Sequence, residues 1–239
     1  MATANETKKE LQKLSNPAQA KTLQRFFKTG KGEYGEGDIF LGIKVPKQRE
    51  VAKKFLEMPL EETRKLLDSE VHEHRMVGLF ILVANYERAK KKNDENEMKR
   101  IFEFYLKHAK RINNWDLVDL SAPNISGNYL LGKNKKTLYS LAKSKNLWKK
   151  RISILSTYAF IKQNQFSDTL QISEILLMDK HDLIHKAVGW MLREVGKKNL
   201  AAEEKFLKKH YKKMPRTMLR YAIEKFPEKK RLTYLHATK

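Results

Sequence analysis

The sequence predicts an all-α protein built as a solenoid of short helices. Glycine and proline are sparse, with 10 Gly and 6 Pro in 239 residues, and four of the glycines fall between Gly30 and Gly37. Elsewhere, apolar residues recur at the i, i+3, i+4, i+7 spacing that places them on one face of a helix. No segment shows the alternating apolar and polar residues, bounded by hairpin turns, that would predict a sheet.

Four segments show the helical spacing most clearly, and each predicts a helix with one buried stripe. In chain order they are Val71–Tyr86 with Val77, Phe80, Ile81 and Ala84; Met98–His108 with Ile101, Phe102, Tyr105 and Leu106; Trp148–Ile161 with Trp148, Ile152, Leu155 and Ala159; and Leu183–Val195 with Ile184, Val188, Met191, Leu192 and Val195. Many short helices joined by polar connections fit a solenoid better than a four-helix bundle. Since no domain boundary stands out, we predict a single helical domain over residues 1–239.

The charge balance predicts a polyanionic partner. Lys and Arg number 50 against 28 Asp and Glu, for a net charge of +22. Repulsion among so many positive charges destabilises the compact state. Nucleic acid is favoured over a membrane, because no apolar run approaches the roughly 20 residues that span a bilayer. The alternative is a chain that is merely rich in lysine. The absence of cysteine excludes disulfides and thiol chemistry, and the N-terminus lacks the apolar stretch of a secretion signal, so we expect a cytoplasmic protein.

A glycine motif and four histidines are interpreted as structural. Residues Gly30–Gly35 spell G-x-G-x-x-G, but a dinucleotide fingerprint needs a strand before it and a helix directly after it. Neither flank fits, so a flexible loop is predicted. A zinc-dependent hydrolase site would need a third metal ligand, a general base and a ligand spacing that suits zinc, and these are absent around the histidines. We therefore expect surface or capping histidines at His72, His74, His181 and His185, with no metal and no cofactor.

Tryptophan and aspartate combine in the segment NNWDLVDLSAP at residues 113–123. Asn114 can cap a helix there, and Asp116 suits its first turn. Trp115 and Asp119, at i and i+4, then share the face opposite Leu117. A tryptophan on that face suits either packing against a neighbouring helix or a functional site.

Cations surround a second tryptophan and an arginine. Trp190 lies outside the buried stripe of its helix and shares a face with Lys186, Arg193 and Lys197. An aromatic ring among cations suits stacking on a sugar or base beside phosphate contacts, although burial by the next helix is equally open. Arg151, next to Lys149 and Lys150, can reach a phosphate or pair with a buried carboxylate.

Six segments, in this order, resemble the AlkD-like DNA alkylation repair glycosylases. They are GEYGEGDIFLGIKVPKQRE from position 32, SEVHEHRMVGLFIL from 69, NNWDLVD from 113, WKKRISIL from 148, KAVGWMLRE from 186 and MPRTMLRYAIEKF from 214. The resemblance implies a curved solenoid of HEAT-like antiparallel helix pairs whose concave basic face grips double-stranded DNA. It also implies that Asp119 is the catalytic carboxylate, that Trp115 and Trp190 are its companion aromatics, and that Arg151 contacts a phosphate.

The activity implied by the resemblance is monofunctional excision of positively charged N3- and N7-alkylated purines, without full base flipping. A cationic purine leaves as a neutral base, so one carboxylate can stabilise the oxocarbenium-like sugar and position the attacking water. We expect Lys149, Lys150, Lys186, Arg193 and Lys197 to bind the backbone of alkylated DNA, and the protein to act as a monomer near the nucleoid. The Gly30–Asp38 loop leaves a second function possible, that of a non-catalytic protein that binds branched or distorted DNA. A third possibility is a HEAT-like scaffold for an acidic partner.

Overall fold

α-Helices make up most of the described chain. A computed structural model describes residues 2–236, and within them the only β-type pairing is an isolated parallel bridge between Ile39 and Val71. The all-α prediction is confirmed. The chain clusters into two compact units, which meet in sequence between Ile125 and Ser126. The curvature, the concave basic face and the single domain stay predictions.

The first unit contains seven α-helices in its described residues. They are α1 Ala4–Gln12, α2 Pro17–Phe26, α3 Val45–Lys54, α4 Leu60–Leu67, α5 His72–Lys91, α6 Glu95–Lys107 and α7 Trp115–Ser121. Helix α5 is the centre of the unit, because α3, α4, α6 and α7 all pack against it. Asp94 caps α6 by accepting the N–H of Glu97 at 3.0 Å.

Helix α5 differs from the prediction of one buried stripe. Every residue from His72 to Leu82 is buried, because neighbouring helices cover all sides of this stretch. Four of these buried residues are polar or charged, at positions 72–75. A buried charge is tolerated only when it is paired and hydrogen-bonded, so the start of α5 requires partners from elsewhere in the fold.

The second unit continues the series of helices. They are α8 Asn128–Leu130, α9 Lys136–Ala142, α10 Leu147–Lys162, α11 Ser167–Ile175, α12 Asp182–Lys198, α13 Leu200–His210, α14 Arg216–Ala222 and α15 Glu228–His236. A π-helical turn, Pro123–Gly127, precedes α8, and a 3-10 turn, Ile223–Lys225, follows α14. Helix α10 packs on α9, α11 and α12, while α12 packs on α13 and α14. Contacts between helices that are close in sequence are typical of solenoids.

Helix α12 is brought against α14 by a glycine. A side-chain carbon at Gly189 would lie 2.4 Å from the main-chain oxygen of Met218 and 2.5 Å from the Cβ of Tyr221. Only glycine allows the two helices to approach this closely. The next residue is Trp190, so this contact fixes the position of α12 where it carries the predicted site residue.

Candidate active site and nucleic-acid interface

Helix α7 begins as the sequence predicts. The side chain of Asn114 accepts the N–H of Trp115 at 2.8 Å, and the carboxylate of Asp116 accepts the N–H of Leu117 at 2.8 Å. These acceptors satisfy main-chain donors that a helix start leaves open. The helix is short, and it places the half-buried side chains of Trp115 and Asp119 one turn apart on the same side.

Trp115 ends a stack of four rings. Its indole stacks on Phe27 with ring centroids 5.3 Å apart and an interplanar angle of 21°. Phe27 stacks in turn on Phe40 at 5.0 Å, and Phe40 stacks on His72 at 4.5 Å. Phe26 adds an edge contact to Trp115 at 6.1 Å. Trp115 is therefore packed against the rings of its own unit, while its role in a functional site stays a prediction. Sequence reasoning missed the two phenylalanines of the stack.

The environment of Asp119 includes a buried tyrosine. Burial is the largest influence that raises the pKa of Tyr105, and the nearby negative charge of Asp119 raises it further. The hydroxyl of Tyr105 lies 3.0 Å from that of Ser121, whose own hydroxyl donates to the main-chain oxygen of Leu117. Hydrogen bonds thus fix the face of α7 that packs on the core, while the side chain of Asp119 is half-buried.

A buried ionic network anchors the start of α7. We call it the Asp38 network; its members are Asp38, His72, Arg75, Asn114 and Asp116. One oxygen of Asp38 accepts from Arg75 at 2.5 Å, and the other lies 3.2 Å both from the Nδ1 of His72 and from the Nδ2 of Asn114. The Nε2 of His72 lies 2.9 Å from the carboxylate of Asp116. The network therefore ties the start of α5 to the cap residue and the first turn of α7.

The protonation of His72 follows from its two carboxylate neighbours. Burial opposes a charge on the imidazole, but Asp116 and Asp38 outweigh it and raise the pKa of His72 to about 9. Burial likewise opposes ionisation of Asp38, yet His72 and Arg75 hold its pKa below the ordinary value. The ring is thus a buried imidazolium that donates to a carboxylate on each side.

The prediction of surface or capping histidines is wrong for two of the four. His72 is 2% exposed and His74 is 8% exposed, because α5 is covered on all sides. Burial, with Lys8 and Arg75 nearby, lowers the pKa of His74 to about 4. His181 follows the prediction: its Nδ1 accepts the N–H of Leu183 at the start of α12.

The glycine motif is a loop, as predicted, and it closes onto the ring stack. The N–H of Gly35 donates to the main-chain oxygen of Lys28 at 3.1 Å, and the N–H of Asp38 donates to that of Gly35 at 3.0 Å. A side-chain carbon at Gly35 would lie 2.4 Å from the main-chain oxygen of Phe27. The loop therefore delivers Asp38 to its network and contacts the backbone of the ring on which Trp115 stacks.

In the second unit, Glu194 organises the surroundings of Trp190. It accepts the indole N–H of Trp190 at 3.1 Å and pairs with Lys197 at 2.7 Å. Arg193 pairs with Glu224 of the 3-10 turn. The half-buried ring also approaches Tyr158, with centroids 6.2 Å apart. Trp190 is thus held in place on α12 with two of its three predicted cations close by.

The remaining predicted cations differ in their surroundings. Lys186 pairs with Asp182 at 2.7 Å, and Lys150 pairs with Asp179 at 2.5 Å. Arg151 is 4% exposed and donates to the main-chain oxygen of Leu183 at 2.6 Å, which ties α10 to α12. Lys149 lies in the first turn of α10, where its N–H donates to the capping Asn146. Phosphate contacts by these residues stay predictions.

Two further features concern function classes. Among residues 2–236, no three His, Asp or Glu side chains come together as a metal-binding group. Within the same stretch, none of the helices has the length and apolar character that crossing a membrane requires.

Comparison with known proteins identifies the family. Residues 7–226 match the family model of the DNA alkylation repair enzymes. The chain belongs to this family. Its members are enzymes of DNA alkylation repair, so the predicted resemblance and the predicted repair role are confirmed. Comparison with curated protein sequences gives no match.

A solved structure shares the fold. A predicted DNA alkylation repair enzyme from Enterococcus faecalis superposes with a TM-score of 0.68 at 17% sequence identity. The match covers 90% of this chain and 97% of the other. At that identity the likeness supports the family fold.

Proposed function

We propose that this family member is a monofunctional glycosylase that excises positively charged N3- and N7-alkylated purines from double-stranded DNA. One observation carries the proposal. Helix α7 places Trp115 and Asp119 one turn apart, and the Asp38 network and the ring stack fix the start of this helix. A carboxylate beside an indole, on a pre-arranged helix, suits the stabilisation of a developing cation.

The chemistry needs little beyond this pair. An alkylated purine already carries positive charge, so it departs as a neutral base and requires no general acid. The remaining barrier is the positive charge that develops on the deoxyribose, which Asp119 would stabilise while it positions the attacking water. Trp115 would contact the sugar, and cation–π attraction adds on the order of 1 kcal/mol to such a contact. The same role for Trp190 stays a prediction.

DNA binding would come from the cations of the second unit and from the net charge of +22. Lys149, Lys150, Lys186, Arg193 and Lys197 would contact phosphates, whereas Arg151, which is 4% exposed and donates to the main-chain oxygen of Leu183, would hold α12 in position rather than reach a phosphate. Several of them form ion pairs with side chains that are partly exposed, and such pairs contribute only about 0–1 kcal/mol. A phosphate can therefore replace the protein carboxylate at little expense in free energy, and affinity would be independent of sequence.

The decisive experiment measures free base released from duplex DNA that contains N7-methylguanine. We expect release by the native protein, and a rate about 10²–10³ lower for Asp119→Asn, the range seen when one electrostatic stabiliser is removed. Asp68→Asn, at an exposed carboxylate that pairs with Arg64, is the matched control and should retain the native rate. Equal rates for native protein and Asp119→Asn would reject the proposal, provided that thermal unfolding shows both to be folded.

A non-catalytic binder of branched or distorted DNA is the second candidate, and the glycine loop beside the ring stack favours it. This candidate predicts tight binding to a four-way junction and no base release from any alkylated duplex. A scaffold for an acidic protein partner would instead bind that partner undisturbed by excess DNA. The base-release assay, run beside a junction-binding titration, separates the candidates.

A further inference from the structure

A groove lies in the second unit between two connections of the helical series. Its volume is about 450 Å³, and it is formed by the α9–α10 connection, the first turn of α10, the end of α11 and the α11–α12 connection. The ion pair between Lys150 of α10 and Asp179 of the second connection, at 2.5 Å, holds the two sides together. The residues that carry the chemistry of the groove are Lys143, Lys145, Lys150, Ile175, Met178 and Asp179.

The groove exposes two apolar side chains. Met178 is 70% exposed, more than any other large apolar residue in residues 2–236, and Ile175 is 38% exposed. Single exposed apolar residues are common on protein surfaces, but two that line the same groove form a small apolar patch, which is typical of interaction sites. A methionine side chain is flexible and polarisable, so it adapts to apolar partners of different shapes.

Two lysines at the groove lack a carboxylate partner. Lys143 and Lys145 are exposed, and neither forms an ion pair within residues 2–236. Asp179 is the one acidic residue among those that line the groove, and its carboxylate is already used. It pairs with Lys150 and accepts the N–H of His181 at 2.9 Å. The groove therefore carries two positive charges that no group of the chain neutralises.

The surrounding sequence strengthens this positive charge. Residues 120–167 contain nine Lys and Arg and no Asp or Glu. This stretch includes the α9–α10 connection and the first turn of α10, which form one side of the groove. A surface of one sign attracts partners of the opposite sign and repels others, so an acidic partner is favoured.

The combination of apolar patch and lysines restricts the partner further. A DNA backbone would supply charges for Lys143 and Lys145 but no apolar group for Met178 and Ile175. An apolar segment would cover the patch and gain nothing from the lysines. The volume of about 450 Å³ falls within the range of about 300–1,000 Å³ for ligand-sized sites, so the groove has room for one or two large side chains.

We infer that this groove binds an extended acidic segment of a partner protein, in which one or two large apolar side chains are flanked by Asp or Glu. The apolar side chains would contact Met178 and Ile175, and the carboxylates would pair with Lys143 and Lys145. So small a contact buries much less than a standard protein interface, so binding would be weak and reversible, with a Kd on the order of 10–100 µM. The inference goes beyond the proposed function and does not depend on base excision.

The test is a titration observed at Met178. The full chain is labelled with ¹³C at its methionine methyl groups, and the Met178 resonance is assigned from its loss in Met178→Leu. The probe is a hexapeptide, blocked at both ends, of sequence Asp-Glu-Leu-Phe-Asp-Glu. In one control peptide Ser replaces Leu and Phe, and in the other Lys replaces the four acidic residues. We expect saturable displacement of the Met178 resonance by the probe, and at least tenfold weaker binding of both controls. Absence of displacement at Met178, or equal affinity for either control, would overturn the inference.

A short DNA duplex is the competing ligand, because Lys150 is also one of the predicted phosphate contacts. We expect a duplex to leave the Met178 resonance in place, or to displace it only at concentrations above those of the probe. Displacement of this resonance by duplex at lower concentrations than by the probe would overturn the inference and assign the groove to the DNA-binding surface.

Variants at exposed positions, measured by calorimetry with the same probe, locate the two contributions. The double variant Lys143→Gln with Lys145→Gln should bind the probe about tenfold more weakly. The matched double variant Lys90→Gln with Lys92→Gln, at exposed lysines by the end of α5, should retain the native affinity.

The apolar contact has its own pair of variants. Met178→Ser should also weaken binding about tenfold, whereas Leu14→Ser, at a 40% exposed position of the first unit, should not. Native affinity in the lysine double variant or in Met178→Ser would show that the peptide binds elsewhere, which would overturn the inference. Base release from alkylated duplex is measured separately, so the glycosylase and the groove stand or fall independently.

Discussion

The Nδ2 of Asn114 donates to the carboxylate of Asp38 at 3.2 Å, although 76 positions separate the two residues. Asn114 caps α7 with its amide oxygen, so its amide nitrogen remains available for this second bond. The helix start that carries Trp115 is therefore fixed from two directions, by its own cap and by the end of the glycine loop.

Replacing Asp38 should destabilise the first unit strongly. In Asp38→Asn, the buried His72 and Arg75 lose their shared counter-charge, and breaking a buried pair by removing one partner costs about 3–5 kcal/mol. We expect the free energy of unfolding, from urea denaturation at neutral pH, to fall by about 3 kcal/mol. Asp68→Asn removes a carboxylate from an exposed pair and should stay within about 0.5 kcal/mol of the native value. A small effect at Asp38 would mean that the network is not a buried ionic one.

The sequence predicts the helices well, because periodic spacing records which face each helix buries. It also predicts the Asn114 cap, since capping depends on a few neighbouring residues. It does not predict that α5 is buried on all sides, because the covering helices are set by tertiary packing. Nor does it predict the burial of His72, whose partners Asp38 and Asp116 lie 34 and 44 positions away. Only the fold brings such distant charges together.

His72 should make stability depend on pH above neutrality. Its pKa is about 9 in the folded protein, against an ordinary value of 6.5, so the folded state holds the proton more tightly. The stabilisation is fully present below about pH 6.5 and is lost as the pH rises through about 9. Across this window we expect a loss of about 3 kcal/mol in the free energy of unfolding.

The comparison for that measurement is a pair of histidine variants. His72→Gln should lose the part of the pH dependence between pH 6.5 and 9 that His72 contributes, about 3 kcal/mol, and keep the part below pH 8 that the buried Glu203 contributes. His74→Asn should keep the native pH dependence there, because the pKa of His74 is about 4 and its ring is neutral throughout. A native slope in His72→Gln would assign the titration to another group.

Glu203 should limit the stability of the second unit at neutral pH. Burial raises its pKa to about 8, so the folded state favours the protonated acid. Its contribution is neutral below the ordinary value of 4.5 and becomes destabilising as the pH rises towards 8. Glu203→Gln should therefore raise the free energy of unfolding at pH 7 by about 3 kcal/mol and leave it nearly unchanged at pH 4.5. Glu61→Gln, at an exposed site, should show no difference at either pH.

The cations around Trp190 should control DNA affinity without affecting sequence preference. Each phosphate contact adds about 0.9 to the slope of log affinity against log salt concentration. Lys186→Ala and Lys197→Ala should each reduce that slope by about 1, equally for two unrelated duplexes, in a fluorescence anisotropy titration. Lys99→Ala, on α6, which carries none of the predicted site residues, serves as the control. An unchanged slope in both variants would place the DNA contacts on other cations.

Gly35 offers a matched test of whether the glycine loop supports the ring stack. In Gly35→Ala the new methyl group would lie 2.4 Å from the main-chain oxygen of Phe27, so backbone must move. In Gly30→Ala it would meet only the carboxylate end of the Glu33 side chain, at 2.9 Å, which can rotate away. We expect Gly35→Ala to lower the free energy of unfolding by about 1–3 kcal/mol and Gly30→Ala by less than about 0.5.

The near-ultraviolet circular dichroism of the same two variants tests the link to α7. Phe27 stacks on Trp115 with centroids 5.3 Å apart, so a displaced Phe27 should alter the tryptophan signal in Gly35→Ala and leave it native in Gly30→Ala. The rate of base release by Gly35→Ala should also fall, because the indole beside Asp119 loses its fixed orientation. The affinity of this variant for undamaged duplex should stay native. Destabilisation with an unchanged tryptophan signal would show that the loop supports the unit without positioning Trp115.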